Sequence, residues 1–134
     1  MEYRLVLLVD DNPDFLALSQ EFINAHEGLE VIGTATSAQE ALDILNRITP
    51  NLVITDLVMP GVSGLELAQM VKSRWPELAI IVMTMLDTPY HQQAAFSAGA
   101  DAFVAKATMD ADLMPTIWNL LRRTRTSNGN GSSP

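Results

Sequence analysis

Carboxylates gather where two apolar runs end: Asp10 and Asp11 close Leu5-Val6-Leu7-Leu8-Val9, and Asp56 closes Leu52-Val53-Ile54-Thr55. A lysine, Lys106, follows a third run that ends at Ala105. In an open parallel sheet such strand ends converge on one edge, so these distant residues would meet in a single crevice. Carboxylates crowded together repel by roughly 4 kcal/mol per close pair at an effective dielectric near 20. A hard divalent cation with oxygen ligands, seconded by the Lys106 ammonium, is the natural way to hold them there.

The bulk of the sequence narrows what that crevice can serve. The chain has 134 residues, of which 48% are hydrophobic, enough for one folded domain without staples. With no cysteine, disulfides and thiolate metal sites are excluded. Two histidines, His26 and His91, make a His-ligated zinc or copper site a poor expectation. A formal charge of −8 argues against direct nucleic acid binding, which needs clustered Lys and Arg. No apolar run approaches the ~20 residues of a membrane span. Met1-Glu2-Tyr3-Arg4 enters a strand at once without a signal-peptide layout, so a cytoplasmic location is expected.

The elements that must position the acids alternate regularly. Leu5 to Val9 reads as a buried strand, and Asn12-Pro13-Asp14 supplies an N-cap, a first-turn proline and an early acid for a helix running toward His26. Leu29 to Ala35 is a second strand. Ser37-Ala38-Gln39-Glu40 has capping-box spacing, and Ala41, Leu42, Leu45 and Ile48 form the stripe of a second helix. Leu52 to Thr55 is the third strand, and a loop through Met59-Pro60-Gly61 to Ser63 leads into a helix over Leu65, Leu67, Ala68 and Val71. Ala79 to Met83 is the fourth strand, Thr88-Pro89 opens a helix that Gly99 stops, and Ala102 to Ala105 is the fifth strand. A last helix is predicted over about 111–123, and a tail from Thr126 to Pro134 reads as a linker by composition. Five βα units imply an α/β, flavodoxin-like, doubly wound sheet of five parallel strands, helices on both faces. In the order 2-1-3-4-5 the switch point falls between strands one and three, where the acids lie.

These residues resemble the receiver domain of two-component response regulators over about Arg4 to Arg123. The likeness rests on Asp10-Asp11, Asp56 followed by Met59-Pro60-Gly61, the hydroxyl Thr84, Lys106, Gly64 and Gly99-Ala100-Asp101. It implies a receiver domain over 1–125 and a linker or tail over 126–134. It also implies that Asp56 is the phospho-acceptor, an ionised carboxylate attacking phosphorus in-line. Asp10, Asp11, Asp56 and the Val58 backbone carbonyl would hold Mg2+, Asp10 largely through water. Thr84 and Lys106 would stabilise charge on the phosphoryl oxygens. Thr84 and Phe103 would form the switch that reports phosphorylation to the surface of the fourth helix, fifth strand and fifth helix.

The resemblance further implies partners: a sensor histidine kinase or histidine phosphotransfer protein as donor, and homodimerisation on phosphorylation. Many receivers have proline after the lysine, whereas Ala107-Thr108 follows here, similar to receivers of the NarL/LuxR type. Such receivers usually control a C-terminal DNA-binding domain, so a transcriptional output domain is the expected partner. The alternative is a stand-alone receiver acting as a protein-binding switch or phosphorelay intermediate. Either way the chain is expected to catalyse only its own phosphorylation and dephosphorylation. A haloacid dehalogenase-type hydrolase needs Asp-x-Asp-x-Thr on its first strand, and Asp10-Asp11-Asn12-Pro13 does not supply it. A degenerate receiver used as a constitutive binding module would lack positions that are intact here. Met85 is bulky for its position and is expected to narrow the path to Asp56. Val58 and Leu86 offer no polar group to orient water, so slow hydrolysis is expected.

Overall fold

Along Arg4–Val9 (β1), Val6 and Leu8 bury into one apolar cluster and Leu7 and Val9 into another, because successive strand side chains face opposite ways. The same division runs through Leu52–Thr55 (β3) and Ala79–Thr84 (β4), whose residues are all buried. This computed structural model describes residues 3–130, with side chains for residues 3–122. Around those strands the chain adds Pro13–Asn24 (α1), Leu29–Ala35 (β2), Ala38–Leu45 (α2), Gly64–Arg74 (α3), Pro89–Ser97 (α4), Ala102–Ala105 (β5), a 3-10 turn over Lys106–Thr108, and Met109–Asn130 (α5). All neighbouring strands pair in parallel, in the order β2-β1-β3-β4-β5. One face is covered by α1 and α5, with Leu16, Ile23, Leu113 and Ile117 at its centre. The other is covered by α2, α3 and α4, through Leu42, Leu45, Leu67, Val71 and Ala95. The expected doubly wound fold is what forms.

Helix entry follows the sequence signals, with one exchange. Asn12 Oδ1 accepts from the N–H of Asp14 and Phe15, and Thr88 Oγ accepts from the N–H of His91. At Ser37 only half of the predicted box forms: its Oγ accepts from Glu40, but the Glu40 carboxylate turns outward to the N–H and hydroxyl of Thr36. The reciprocal box sits at Ser63 and Glu66 instead, where each side chain caps the other's backbone N–H. Ile48 is not part of the second helix's stripe, because α2 ends at Leu45 and leaves it half-exposed; Ala38 takes the fourth buried position. The last helix continues to Asn130, past the predicted end near Arg123, since no glycine or proline interrupts 121–128. Of the expected tail, residues 131–134 lie outside the described residues.

At the far end of the sheet from the acids, Lys72 Nζ in α3 donates to the Leu78 carbonyl and pairs with Asp101 Oδ2, both at 2.9 Å. The same Asp101 oxygen accepts from the Ile80 N–H, and the Asp101 N–H donates to the Ile80 carbonyl. This latch ties the end of α3, the start of β4 and the turn after α4 together. Among the described residues no helix is long and apolar enough to cross a membrane.

Candidate functional site

Backbone hydrogen bonding carries the acids past the strand ends and fixes them side by side. The Asp10 N–H donates to the Ala35 carbonyl of β2, and the Asp56 N–H donates to the Val9 carbonyl of β1, both at 3.0 Å. Asp10 therefore extends the β1–β2 ladder by one step, and Asp56 extends the β1–β3 ladder by one step across the switch point. Both are buried although charged, Asp56 to 8% exposure, so each oxygen needs a partner. The two carboxylates solve this in the same way. Oδ1 goes to local backbone: Asp10 Oδ1 accepts from the Asn12 N–H at 2.9 Å, and Asp56 Oδ1 from the Leu57 N–H at 2.7 Å. Oδ2 goes to Lys106, whose Nζ lies 2.6 Å from Asp10 and 3.3 Å from Asp56. Lys106 is the first residue after β5, and its side chain is 9% exposed.

Asp11 is exposed beside them, and one oxygen from each of Asp10, Asp11 and Asp56 falls within 4.8 Å of the others. One ammonium against three carboxylates leaves an excess of two negative charges in a small volume. Three hard oxygens and that charge deficit suit a divalent cation such as Mg2+. Burial raises the Asp10 carboxyl above its usual range, even though Lys106 and the Asn12 N–H pull the other way; the Asp56 charge adds to the rise.

The other predicted residues flank this centre. Thr84, the last residue of β4, is buried and pairs in register with Ala105, next to Lys106. Its hydroxyl accepts from the Leu86 N–H at 3.2 Å, and among the described residues no hydrogen bond joins it to Asp56. Val58 follows Asp56 by two residues with its side chain exposed. Phe103 is partly buried against the α2–α3–α4 cluster and faces a cavity of about 370 Å³ that Gln92, Thr108, Asp112 and Pro115 also line. The structure brings Asp10, Asp11, Asp56 and Lys106 together, and sets Thr84 at the rim and Phe103 to one side.

Met85, expected to narrow the path to Asp56, is 69% exposed. Sequence reading also missed Phe15. Its ring lies under Lys106 Nζ, 4.2 Å from ring centroid to nitrogen. The available signal was an aromatic in the first turn of the helix that follows the acidic pair. A second cavity, about 520 Å³ and lined by Arg4, Asn51, Arg74, Trp75 and Leu121, shares no residue with the acidic crevice.

Comparison with known proteins agrees with this geometry. Residues 6–117 match the family model described as the response regulator receiver domain. The chain is 34% identical to the response regulator MprA of Mycolicibacterium vanbaalenii over 99 residues, 74% of this chain and 43% of that protein. It is 28% identical to the transcriptional regulatory protein DesR of Bacillus subtilis over 90% of this chain and 59% of that one. It thus spans about half the length of these curated relatives. Among solved structures, a LuxR-family two-component response regulator from Aurantimonas superposes with a TM-score of 0.86 at 29% identity, covering 90% of this chain and 86% of that one. With the paired carboxylates, the bridging lysine and the 2-1-3-4-5 sheet in place, the chain belongs to the response regulator receiver domain family of two-component systems, alongside regulators of the NarL/LuxR type.

Proposed function

We propose that Asp56 accepts a phosphoryl group, with Mg2+ as cofactor, from a sensor histidine kinase or histidine phosphotransfer protein. The observation that carries this reading is Lys106 Nζ lying between Asp10 Oδ2 and Asp56 Oδ2, at 2.6 and 3.3 Å. Asp56 Oδ1 is tied to the Leu57 N–H, which leaves Oδ2 as the attacking atom. Oδ2 forms the new bond to phosphorus as the phosphorus–nitrogen bond of a phosphohistidine breaks, the nitrogen keeping the electron pair. The transition state is loose, so the protein's work is alignment and charge neutralisation. Lys106 exchanges its contact with Oδ2 for one with a phosphoryl oxygen. The Thr84 hydroxyl accepts from Leu86 and still has its own proton to donate to another phosphoryl oxygen. Asp10, Asp11 and Asp56, with the Val58 carbonyl, would hold Mg2+, which supplies further neutralisation of the transferring group.

In this reading the chain catalyses only its own phosphorylation and dephosphorylation. The phosphorylated form changes the surface of α4, β5 and α5, with Thr84 and Phe103 as the moving parts. The cavity beside Phe103 supports that role by giving the ring room. The controlled partner is a DNA-binding output domain in a longer protein, as the resemblance to the transcriptional regulatory protein DesR suggests.

Incubation with acetyl phosphate, with and without Mg2+, followed by intact mass and an Asp56→Ala control, tests the reading. One added phosphoryl group that needs both Mg2+ and Asp56 is expected. An adduct that survives Asp56→Ala, or none at all despite Mg2+ binding, removes Asp56 from the role.

A further inference from the structure

We propose that Phe15 is a positioning residue that holds the Lys106 ammonium over Asp56 through its aromatic face. This rests on the phospho-acceptor reading and deepens it by assigning a role to a residue outside the acid–lysine set.

The argument begins with the ammonium's three N–H donors. Two have oxygens: Asp10 Oδ2 and Asp56 Oδ2. Among the described residues no third oxygen is paired with Nζ, and the group is too buried for bulk water to supply one freely. The Phe15 ring occupies that side, with Nζ 4.2 Å from its centroid, well inside the ~6 Å range in which a ring face attracts a cation. Desolvation strengthens that attraction, and Lys106 is desolvated.

The ring is itself fixed. Phe15 is at the third position of α1, its N–H donates to Asn12 Oδ1 at 3.1 Å, and its partly buried side chain packs on the α1–α5 cluster. The Asn12 N–H in turn holds Asp10 Oδ1. One N-cap residue thus bonds both the Asp10 carboxylate and the Phe15 backbone, and both of those side chains reach the same lysine.

An aromatic face suits this position better than a third carboxylate. The pull of a ring depends little on how the ammonium is rotated, so Nζ can swing an N–H from Asp56 Oδ2 to a phosphoryl oxygen without leaving the ring. A carboxylate there would add to the two uncompensated charges and hold the ammonium away from the transferring group. A leucine would fill the space but give the third N–H nothing.

The test compares Phe15→Leu, which keeps apolar bulk, with Phe15→Tyr, which keeps the ring. The first readout is independent of phosphoryl transfer: the Lys106 ε-methylene protons in NMR spectra. They are expected to be shifted upfield by the ring in the wild type and Phe15→Tyr, and to return to ordinary values in Phe15→Leu. The second is the initial rate of labelling by acetyl phosphate with Mg2+, in which Asp56 Oδ2 bonds to phosphorus and acetate leaves with the electron pair of the broken bond. Phe15→Leu should be slower by about fivefold to tenfold, in keeping with loss of a desolvated cation–π contact, and Phe15→Tyr should stay within about twofold. Labelling of Phe15→Leu at the wild-type rate, or equal impairment of Phe15→Tyr, overturns the proposal. If Phe15→Leu does not fold, Phe15→Met takes its place with the same expected outcomes. A wild-type chain that takes no phosphoryl group sinks the acceptor reading alone. The positioning role then stands or falls on the Lys106 shift, and an upfield shift that persists in Phe15→Leu overturns it.

Discussion

Two strand-to-helix connections leave the acidic edge side by side, and they are held very differently. After β3, Leu57 and Met59 are buried in the loop, the Gly64 N–H donates to the Leu57 carbonyl, and a reciprocal capping box starts α3. Gly64 lies so close to the Asp56 carbonyl that a Cβ there would sit 1.8 Å from its oxygen. Gly64, Leu67, Ala68 and Val71 then anchor α3 in the core. After β4, residues 85–88 are all exposed, Ala95 is the buried residue of α4, and Tyr90 stands 78% in solvent. Burying one large aliphatic side chain contributes about 1.5–3 kcal/mol, so α3 is held by two such terms, Leu67 and Val71, and α4 by none. The connection after Asp56 is thus packed far more firmly than the one after Thr84.

Gly64→Ala should break this contrast most severely. With backbone in its way, the new methyl should cost about 3 kcal/mol or more in urea unfolding, whereas Gln93→Ala on the exposed face of α4 should stay within about 0.5 kcal/mol. A mild Gly64→Ala would mean that the loop after Asp56 yields more easily than its packing implies. Next in size is the difference in local opening. Amide exchange in α4 should proceed through openings at least about 2 kcal/mol less costly than those of α3, and equal protection would erase the comparison.

The caps sharpen it further. Ser63→Ala should lower global stability by about 1 kcal/mol. Thr88→Ala removes an equivalent bond to the His91 N–H, yet should appear mainly as faster exchange within α4, with little change in the unfolding midpoint. A midpoint shift equal to that of Ser63→Ala would show α4 to be part of the global unit. The smallest effect concerns α2. The Thr36 N–H, and then its hydroxyl, hold the Glu40 carboxyl below its usual value of 4.5, against a small opposing effect of burial. A lowered carboxyl contributes stability that is present above 4.5 and lost as pH falls through the lowered value. An NMR titration should therefore find the Glu40 midpoint below 4.5. Thr36→Val, which keeps the larger backbone bond, should raise it only partway. A wild-type midpoint at or above 4.5 would remove the tie between α2 and the end of β2.

The sequence made strand bounds and simple helix caps legible, and the directions of individual side chains less so. Strand bounds at β2, β3 and β5 could be read because buried apolar runs end abruptly in polar or turn residues, and Asn12, Ser37 and Thr88 cap as their types require. The meeting of Asp10, Asp11, Asp56 and Lys106 followed from strand-end convergence alone. What was not legible depended on where side chains turn in space. The Glu40 carboxylate had two suitable donors and chose Thr36, and Ser63-Gly64-Leu65-Glu66 concealed its box behind a glycine. The exposure of Met85 could not be read from its volume or from its place after a buried strand. The stacking of Phe15 on Lys106 joins residues 91 positions apart, a contact no local pattern encodes.

The Lys72–Asp101 latch has a mechanical consequence for α4. It fastens the turn just beyond the C-terminal end of that helix, while the N-terminal end at Thr88 emerges from an exposed loop. A rod pinned at one end acts as a lever. Nine residues at 1.5 Å each give an arm of about 13 Å, so a tilt of about 10° carries the Thr88 end through roughly 2 Å and leaves the pinned end almost in place. Small adjustments beside Thr84 would thus be taken up as tilt at the free end of α4, nearest the acids, with the turn before β5 held at the pivot.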